Sequence, residues 1–266
     1  MQISALLPND VNEALELQPP DWNDISPFLH AYTTASIYFP IKVVENHQII
    51  GIGNCIFQQD TAWLAHIIVR NSHRGQGLGA KITAHLMQEA LKRNYKSIYL
   101  VATPLGESVY EKLGFKIQGE YVFRRGACLL PGESSIECII PYHEKFKEAI
   151  FYLDRMACGE HRSMRLEHYL DHAYLYVEQG ELLGFYLPDM YEGYVVAMNE
   201  RAGLTLLNIR MQQKDFAIVP ALNTTAQTYL EEQNFNIFRT AKRMFYGEAL
   251  PWNPKIIYHR VSGQIG

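Results

Sequence analysis

His66-Ile67-Ile68-Val69-Arg70-Asn71-Ser72-His73-Arg74-Gly75-Gln76-Gly77-Leu78-Gly79-Ala80 is the stretch that decides how this chain is read. It begins inside residues 62–69, which are almost wholly apolar, the pattern of a central strand covered on both faces. After the glycines, Leu78, Ile82, Leu86 and Ala90 recur every four residues while Lys81, Gln88 and Lys92 fall elsewhere, which predicts an amphipathic helix. The first turn of any helix leaves N–H groups unpaired and pointing one way. Those donors and the positive end of the helix dipole make a site for an anion. Glycine at 75, 77 and 79 removes Cβ atoms, so phosphates can approach the backbone closely.

The order of residues excludes two nucleotide loops. A Walker loop closes on Gly-Lys-Ser/Thr, and Gly79-Ala80-Lys81 does not supply it. A dinucleotide fingerprint needs GxGxxG after the first strand of a βαβ unit. Gly75-Gln76-Gly77-Leu78-Gly79 is one residue short of that spacing and follows the third or fourth strand.

Outward from the loop, residues 37–44 and 49–57 read as strands joined by a turn at Glu45-Asn46-His47-Gln48. Residues 97–102 form another buried-type strand, 104–113 a helix opened by Thr103-Pro104 and closed by Gly114, and 115–123 a strand. Gly126, Pro131-Gly132 and Pro141 mark residues 127–141 as a connection between domains. A helix begins at His143. Strands are expected at 173–177, 182–187 and 215–219, helices at 202–211 and 224–233, then a last strand or two. Val101-Ala102-Thr103 through Tyr110 to Gly114-Phe115 parallels Val219-Pro220-Ala221 through Leu230 to Asn234-Phe235, which suggests two copies of one fold.

With these elements in place, Arg74-x-x-Gly77-x-Gly79, preceded by Val69, resembles the Q/R-x-x-G-x-G/A motif of the GNAT superfamily of N-acetyltransferases over residues 1–125. The resemblance implies an α/β (α+β) fold. Each domain would hold a mixed, mostly antiparallel sheet flanked by helices, with a V-shaped splay between the middle strands. It implies acetyl-CoA as co-substrate. The backbone of Ile67, Ile68 and Val69 would bond the pantetheine and acetyl carbonyl, and Arg74, Gly75, Gln76, Gly77, Leu78, Gly79 and Ala80 would wrap the pyrophosphate. The family often continues with N-x-x-A-x-x-L-Y-x-x-x-G-F. Here Tyr110, Gly114 and Phe115 match, while Thr103 stands in place of Asn and Gly106 in place of Ala, both at cofactor-contacting positions.

Transfer of an acyl group from a thioester to an amine expels a thiolate. A phenol beside the sulfur can protonate it, and such general acid help is worth about 10²–10⁴ in rate. That role falls to Tyr110. The general base stays open. Residues 62–69 contain no carboxylate, and His66, with an ordinary pKa near 6.5, is their one titratable side chain. A water relay or loss of the amine's proton to solvent are the alternatives.

The second half, residues 142–266, resembles the divergent second domain of tandem GNAT proteins. Asn223 and Ala226 restore the Asn and Ala missing from the first half. Leu230, however, stands where Tyr110 stands, and Asn234 replaces Gly114. Residues 197–204 take the loop position with one glycine, and Glu200 there would repel a pyrophosphate. This half is expected to have lost ordinary acetyl-CoA binding and to complete the substrate cleft or stabilise residues 1–126.

Composition narrows the partners. The chain has 266 residues, 48% hydrophobic and 20% charged, with a net charge of −4. That gives no basic field for nucleic acid. There is neither an apolar run long enough to span a membrane nor a signal-peptide pattern. The expectation is a cytoplasmic protein, monomer or homodimer, with Cys55, Cys128, Cys138 and Cys158 as reduced buried thiols and no structural metal. Three functions compete: an N-acetyltransferase for a small-molecule or peptide amine, a non-catalytic acyl-CoA-binding regulator, and a scaffold that kept only the fold.

Overall fold

The computed structural model describes residues 1–20, 22–130 and 136–266. It divides into two compact units. Unit 1 holds Met1–Lys116, Met244–Glu248 and Ile265; unit 2 holds Ile117–Arg243, Ala249–Gln264 and Gly266.

Unit 1 runs β1 (Gln2–Ala5), α1 (Val11–Leu15), α2 (Ser26–Tyr32), β2 (Tyr38–Glu45), β3 (Gln48–Phe57), β4 (Ala62–Val69), α3 (Leu78–Lys92), β5 (Ser97–Ala102) and α4 (Pro104–Lys112). The strands lie in the order β1-β2-β3-β4-β5. The first three joints are antiparallel, while β4 and β5 run parallel. Their ladder spans Ala62↔Ile98, Trp63↔Tyr99 and Leu64↔Leu100. Beyond it β4 continues to Val69 and β5 to Ala102, which is the V-shaped splay.

The predicted stripe of α3 packs as expected: Leu78, Ile82, Leu86 and Ala90 are buried with Ile41, Val43, Ile50, Leu64 and Leu100. Each such aliphatic side chain contributes about 1.5–3 kcal/mol by leaving water. Met244 joins this core, Tyr246 lies tilted against Phe115 at 5.9 Å between centroids, and the Glu248 N–H donates to Lys96 O at 2.9 Å. A segment from late in the chain therefore completes the unit formed early in it.

Unit 2 contains β6 (Lys116–Arg125, from Ile117 on), β7 (Ile139–Pro141), α5 (Lys147–Cys158), α6 (Ser163–Leu166), β8 (Tyr174–Glu178), β9 (Glu181–Leu187), β10 (Tyr194–Ala197), α7 (Glu200–Met211), β11 (Phe216–Pro220), α8 (Thr224–Glu232), β12 (Asn236–Gly247, up to Arg243) and β13 (Ile257–His259). One row of strands is ordered β13-β10-β9-β8-β7, and β6 pairs antiparallel with β11. Behind β10, α5 is tied by a fully buried ion pair: Arg162 Nη2 reaches Asp154 Oδ1 at 2.8 Å.

The repeat seen in sequence is real in backbone geometry. Phe115 N–H donates to Tyr110 O at 3.0 Å, and Phe235 N–H to Leu230 O at 2.8 Å. Both helices end on a left-handed residue, Gly114 at φ 90° and Asn234 at φ 61°.

Three sequence expectations change. Ile139–Pro141, read as the end of a connection, forms β7 against β8, while residues 131–135 of that connection lie outside the described residues. The strand β10 was not foreseen, because four residues are too few to show a period. All four cysteines are free, but only Cys55 and Cys158 are buried. Cys128 is exposed and Cys138 half-buried, because both lie within that connection rather than in a core element.

Candidate active site

Because β4 and β5 are parallel, the helices that follow them, α3 and α4, start at the same end of the sheet, where α/β folds commonly bind ligands. Ile68 and Val69 pair with Ile52 and Gly51 of β3. Just before them the ladder slips, so that His66 and Ile67 together oppose Gly53. This is a β-bulge, and His66 sits in it at φ 48°, a left-handed conformation costly for a non-glycine residue.

Residues 70–77 carry the chain from β4 into α3. Gly75 and Gly77 adopt φ 76° and 77°, which any side chain would strain. A Cβ at either would meet nothing within 4 Å, so the space over the loop is open. Gly79 needs no special φ, and a Cβ there would touch only Val69 Cγ2 at 3.9 Å. A glycine inside a helix costs about 1 kcal/mol relative to Ala. No neighbour in the chain requires a glycine at position 79.

Gly77 is the N-cap of α3 and offers no side-chain cap. The first internal bond of the helix runs from Lys81 N–H to Gly77 O at 3.1 Å, so the amides of Leu78, Gly79 and Ala80 precede it. Leu78, 3% exposed, anchors the loop in the core, and Arg74 folds back to donate from Nε to Val69 O at 3.1 Å. Gln76 Nε2 donates to Ser72 O at 3.3 Å. Open space, aligned amides and an arginine at one helix end fit a pyrophosphate.

Thr103 caps α4 by position only: it makes no side-chain cap bond, so its hydroxyl is not committed to the helix. Tyr110 is half-buried against the core of unit 1, edge-on to Phe115 at 6.0 Å, and burial pushes its phenol up to about 12. It keeps its proton at any physiological pH, so it has one to give. Gly106 has a structural task that sequence did not show. A Cβ there would lie 2.8 Å from Tyr110 Cε2 and 3.4 Å from the hydroxyl, so the missing methyl makes room for the Tyr110 ring.

His66 bears on the general base that the sequence left open. Burial pushes its imidazole down from 6.5 to about 4, away from the range that suits a base near neutral pH. Its Nδ1 shares a 2.8 Å hydrogen bond with Tyr32 OH, and its ring lies 5.6–5.9 Å from those of Trp22, Phe28 and Tyr32. The sequence missed this aromatic surround because the segment before α2, α2 itself and the bulge converge from separate parts of unit 1. Among the described residues, no group of three or more His, Cys, Asp or Glu is placed to hold a metal ion, and no helix is long and apolar enough to cross a membrane.

Residues 9–115 match the model of the acetyltransferase (GNAT) family. Over 80 residues the chain is 29% identical to the ribosomal-protein-bS18-alanine N-acetyltransferase of Haemophilus influenzae, a match covering 29% of this chain and 55% of that protein. The chain thus spans little more than half the length of this curated relative. Among solved structures, a candidate acetyltransferase from Pyrococcus horikoshii superposes with a TM-score of 0.82 at 18% identity, covering 100% of this chain and 95% of the other. A GCN5-related N-acetyltransferase from Sphaerobacter thermophilus superposes at 0.66 with 11% identity, covering 95% and 98%. At these identities the superpositions show a shared fold over the full chain.

Proposed function

We propose, from the match of residues 9–115 to the acetyltransferase (GNAT) family model, that this chain transfers an acetyl group from acetyl-CoA to the amine of a small molecule or peptide, with residues 1–126 as the transferase domain and residues 142–266 as a divergent GNAT-like domain. The observation that carries this reading is the loop of unit 1: left-handed Gly75 and Gly77 under open space, leading into the uncapped start of α3. The amides of residues 75–80 and the Arg74 guanidinium hold the pyrophosphate. The backbone edge of β4 at Ile67, Ile68 and Val69, freed from β5 by the splay, bonds the pantetheine arm, with Thr103 and Gly106 beside it. The donor supplies an activated thioester. Tyr110 supplies the proton that the leaving sulfur takes, from a phenol whose burial keeps it protonated. His66 is neutral and shapes the bulge, and the amine loses its proton to water or solvent.

The acceptor class follows from the relative only as a starting point: a peptide with an N-terminal alanine heads the panel, followed by small mono- and polyamines. The test is release of free thiol from acetyl-CoA with each amine, in wild type and in Tyr110→Phe. Acetylation of at least one amine, lost in the variant, is the expected result. Binding of acetyl-CoA without acetylation of any amine would replace the transferase by an acyl-CoA-sensing regulator.

A further inference from the structure

Unit 2 repeats the element order of the proposed site: β10, α7, β11 and α8 correspond to β4, α3, β5 and α4. What lies between the two strands differs. In unit 1 the parallel pair is joined at its base and then parts. In unit 2 both edges of β10 are taken, one by β9 and the other by β13. The segment pairs antiparallel with β10 through Val195↔His259 and Val196↔Ile257. On its far side the Arg260 N–H donates to Ile218 O of β11 at 3.1 Å. The segment therefore lies in the gap between β10 and β11.

Its side chains and carbonyls meet the groups that a cofactor arm would meet. Asn223, at the family's Asn position, donates from Nδ2 to Ile257 O at 3.0 Å, while its Oδ1 accepts from Ala226 N–H at 3.0 Å. The Tyr258 ring lies against the first turn of α7: a Cβ on Gly203 would sit 2.0 Å from Tyr258 Cζ. The Tyr258 hydroxyl donates to Asn199 O at 3.4 Å. The start of α7 is closed in other ways too. Only residues 198–199 separate it from β10, and Asn199 Oδ1 accepts the Ala202 N–H at 2.9 Å. Ile257, Tyr258 and His259 are each buried, so this is a built-in element of the unit.

We infer that β13 is the permanent occupant of unit 2's donor cleft, an extended peptide whose amides take the strand-edge bonds that a pantetheine arm takes in a working unit. The chain therefore carries one acyl-CoA site, in unit 1. This rests on the proposed reading of unit 1 for the cofactor's identity.

The test uses the full chain and coenzyme A. Equilibrium dialysis should give one coenzyme A per chain, and Gly77→Glu should remove all of it. Gly79→Glu, at an unstrained position of the same loop, should do the same if Gly77→Glu folds poorly. Hydrogen exchange at the Arg260 amide should be slow and unchanged by saturating coenzyme A. A second coenzyme A per chain, or binding that survives both loop variants while Arg260 loses protection, overturns the inference by showing that the strand is displaced. If wild type binds no coenzyme A while Arg260 stays protected, unit 2 is closed as inferred and the reading of unit 1 falls.

Discussion

The helix starts α3 and α7 occupy the same place in the two copies and have been resolved in opposite ways. At α3 the chain reaches the helix through a long loop with two left-handed glycines and no cap, leaving aligned amides for something outside the chain. At α7 the loop is gone, Asn199 caps the helix with its own side chain, Glu200 places a carboxylate at the first position, and Tyr258 covers the turn. The second helices show the same contrast. Thr103 leaves α4 uncapped by its side chain, whereas Asn223 caps α8 and holds β13. A helix start that the chain caps and covers for itself has no amides left to offer; on the proposed reading, the uncapped starts of α3 and α4 serve the cofactor.

The strongest break of this comparison is at the phenol. Tyr110→Phe should lower kcat by about 10²–10⁴ with little change in coenzyme A affinity. Leu230→Tyr, the reverse change in unit 2, should create no activity in a thiol-release assay. Activity surviving in the first or appearing in the second would erase the distinction.

Acid should act on both units through buried neutral histidines, His66 in unit 1 and His259 in unit 2, each depressed by burial. Between pH 6.5 and about 4 the unfolded chain binds a proton at His66 that the folded chain does not, so stability falls as pH drops through that window and is flat above it. The His66 share is at most about 3 kcal/mol. His66→Asn, which tolerates the left-handed bulge, should remove that share, read from urea midpoints at several pH values.

A smaller effect separates the caps. Asn223→Ala should destabilise the chain by about 1 kcal/mol or more, since it loses a helix cap and the bond to Ile257. Thr103→Ala should leave the unfolding midpoint almost unchanged and weaken coenzyme A binding instead. A small net stability change is also expected at Gly106→Ala, where a gain of helix propensity of up to about 1 kcal/mol opposes the clash with Tyr110. Its kcat should fall in wild type and stay unchanged in a Tyr110→Phe background, the pattern expected if Gly106 only seats the phenol.

Much of this contrast was legible in sequence. The strand 62–69 and the stripe of α3 follow from period alone, and the glycine spacing marks the turn between them. Leu230 in place of Tyr110, and Glu200 at the loop position, already set unit 2 apart in sequence. What could not be read is what depends on long-range placement. The seat of β13 between β10 and β11 joins segments some forty to sixty residues apart. The depressed His66 needs Trp22, Phe28 and Tyr32 around it, and the task of Gly106 depends on the rotamer of Tyr110.

One structural feature bears on how the protein is made. Unit 1 counts Met244–Glu248 among its own residues, with the Glu248 N–H bonded to Lys96 O beside β5. During translation, β5 leaves the ribosome roughly ten to thirty seconds before that segment does. Over that interval the nascent unit lacks part of its core and exposes unpaired backbone, the kind of edge that invites pairing with other chains. On the proposed reading, competence thus waits for residues 244–248 rather than arriving with residue 116, and a gene cut after residue 126 would encode residues 74–80 yet not a whole unit.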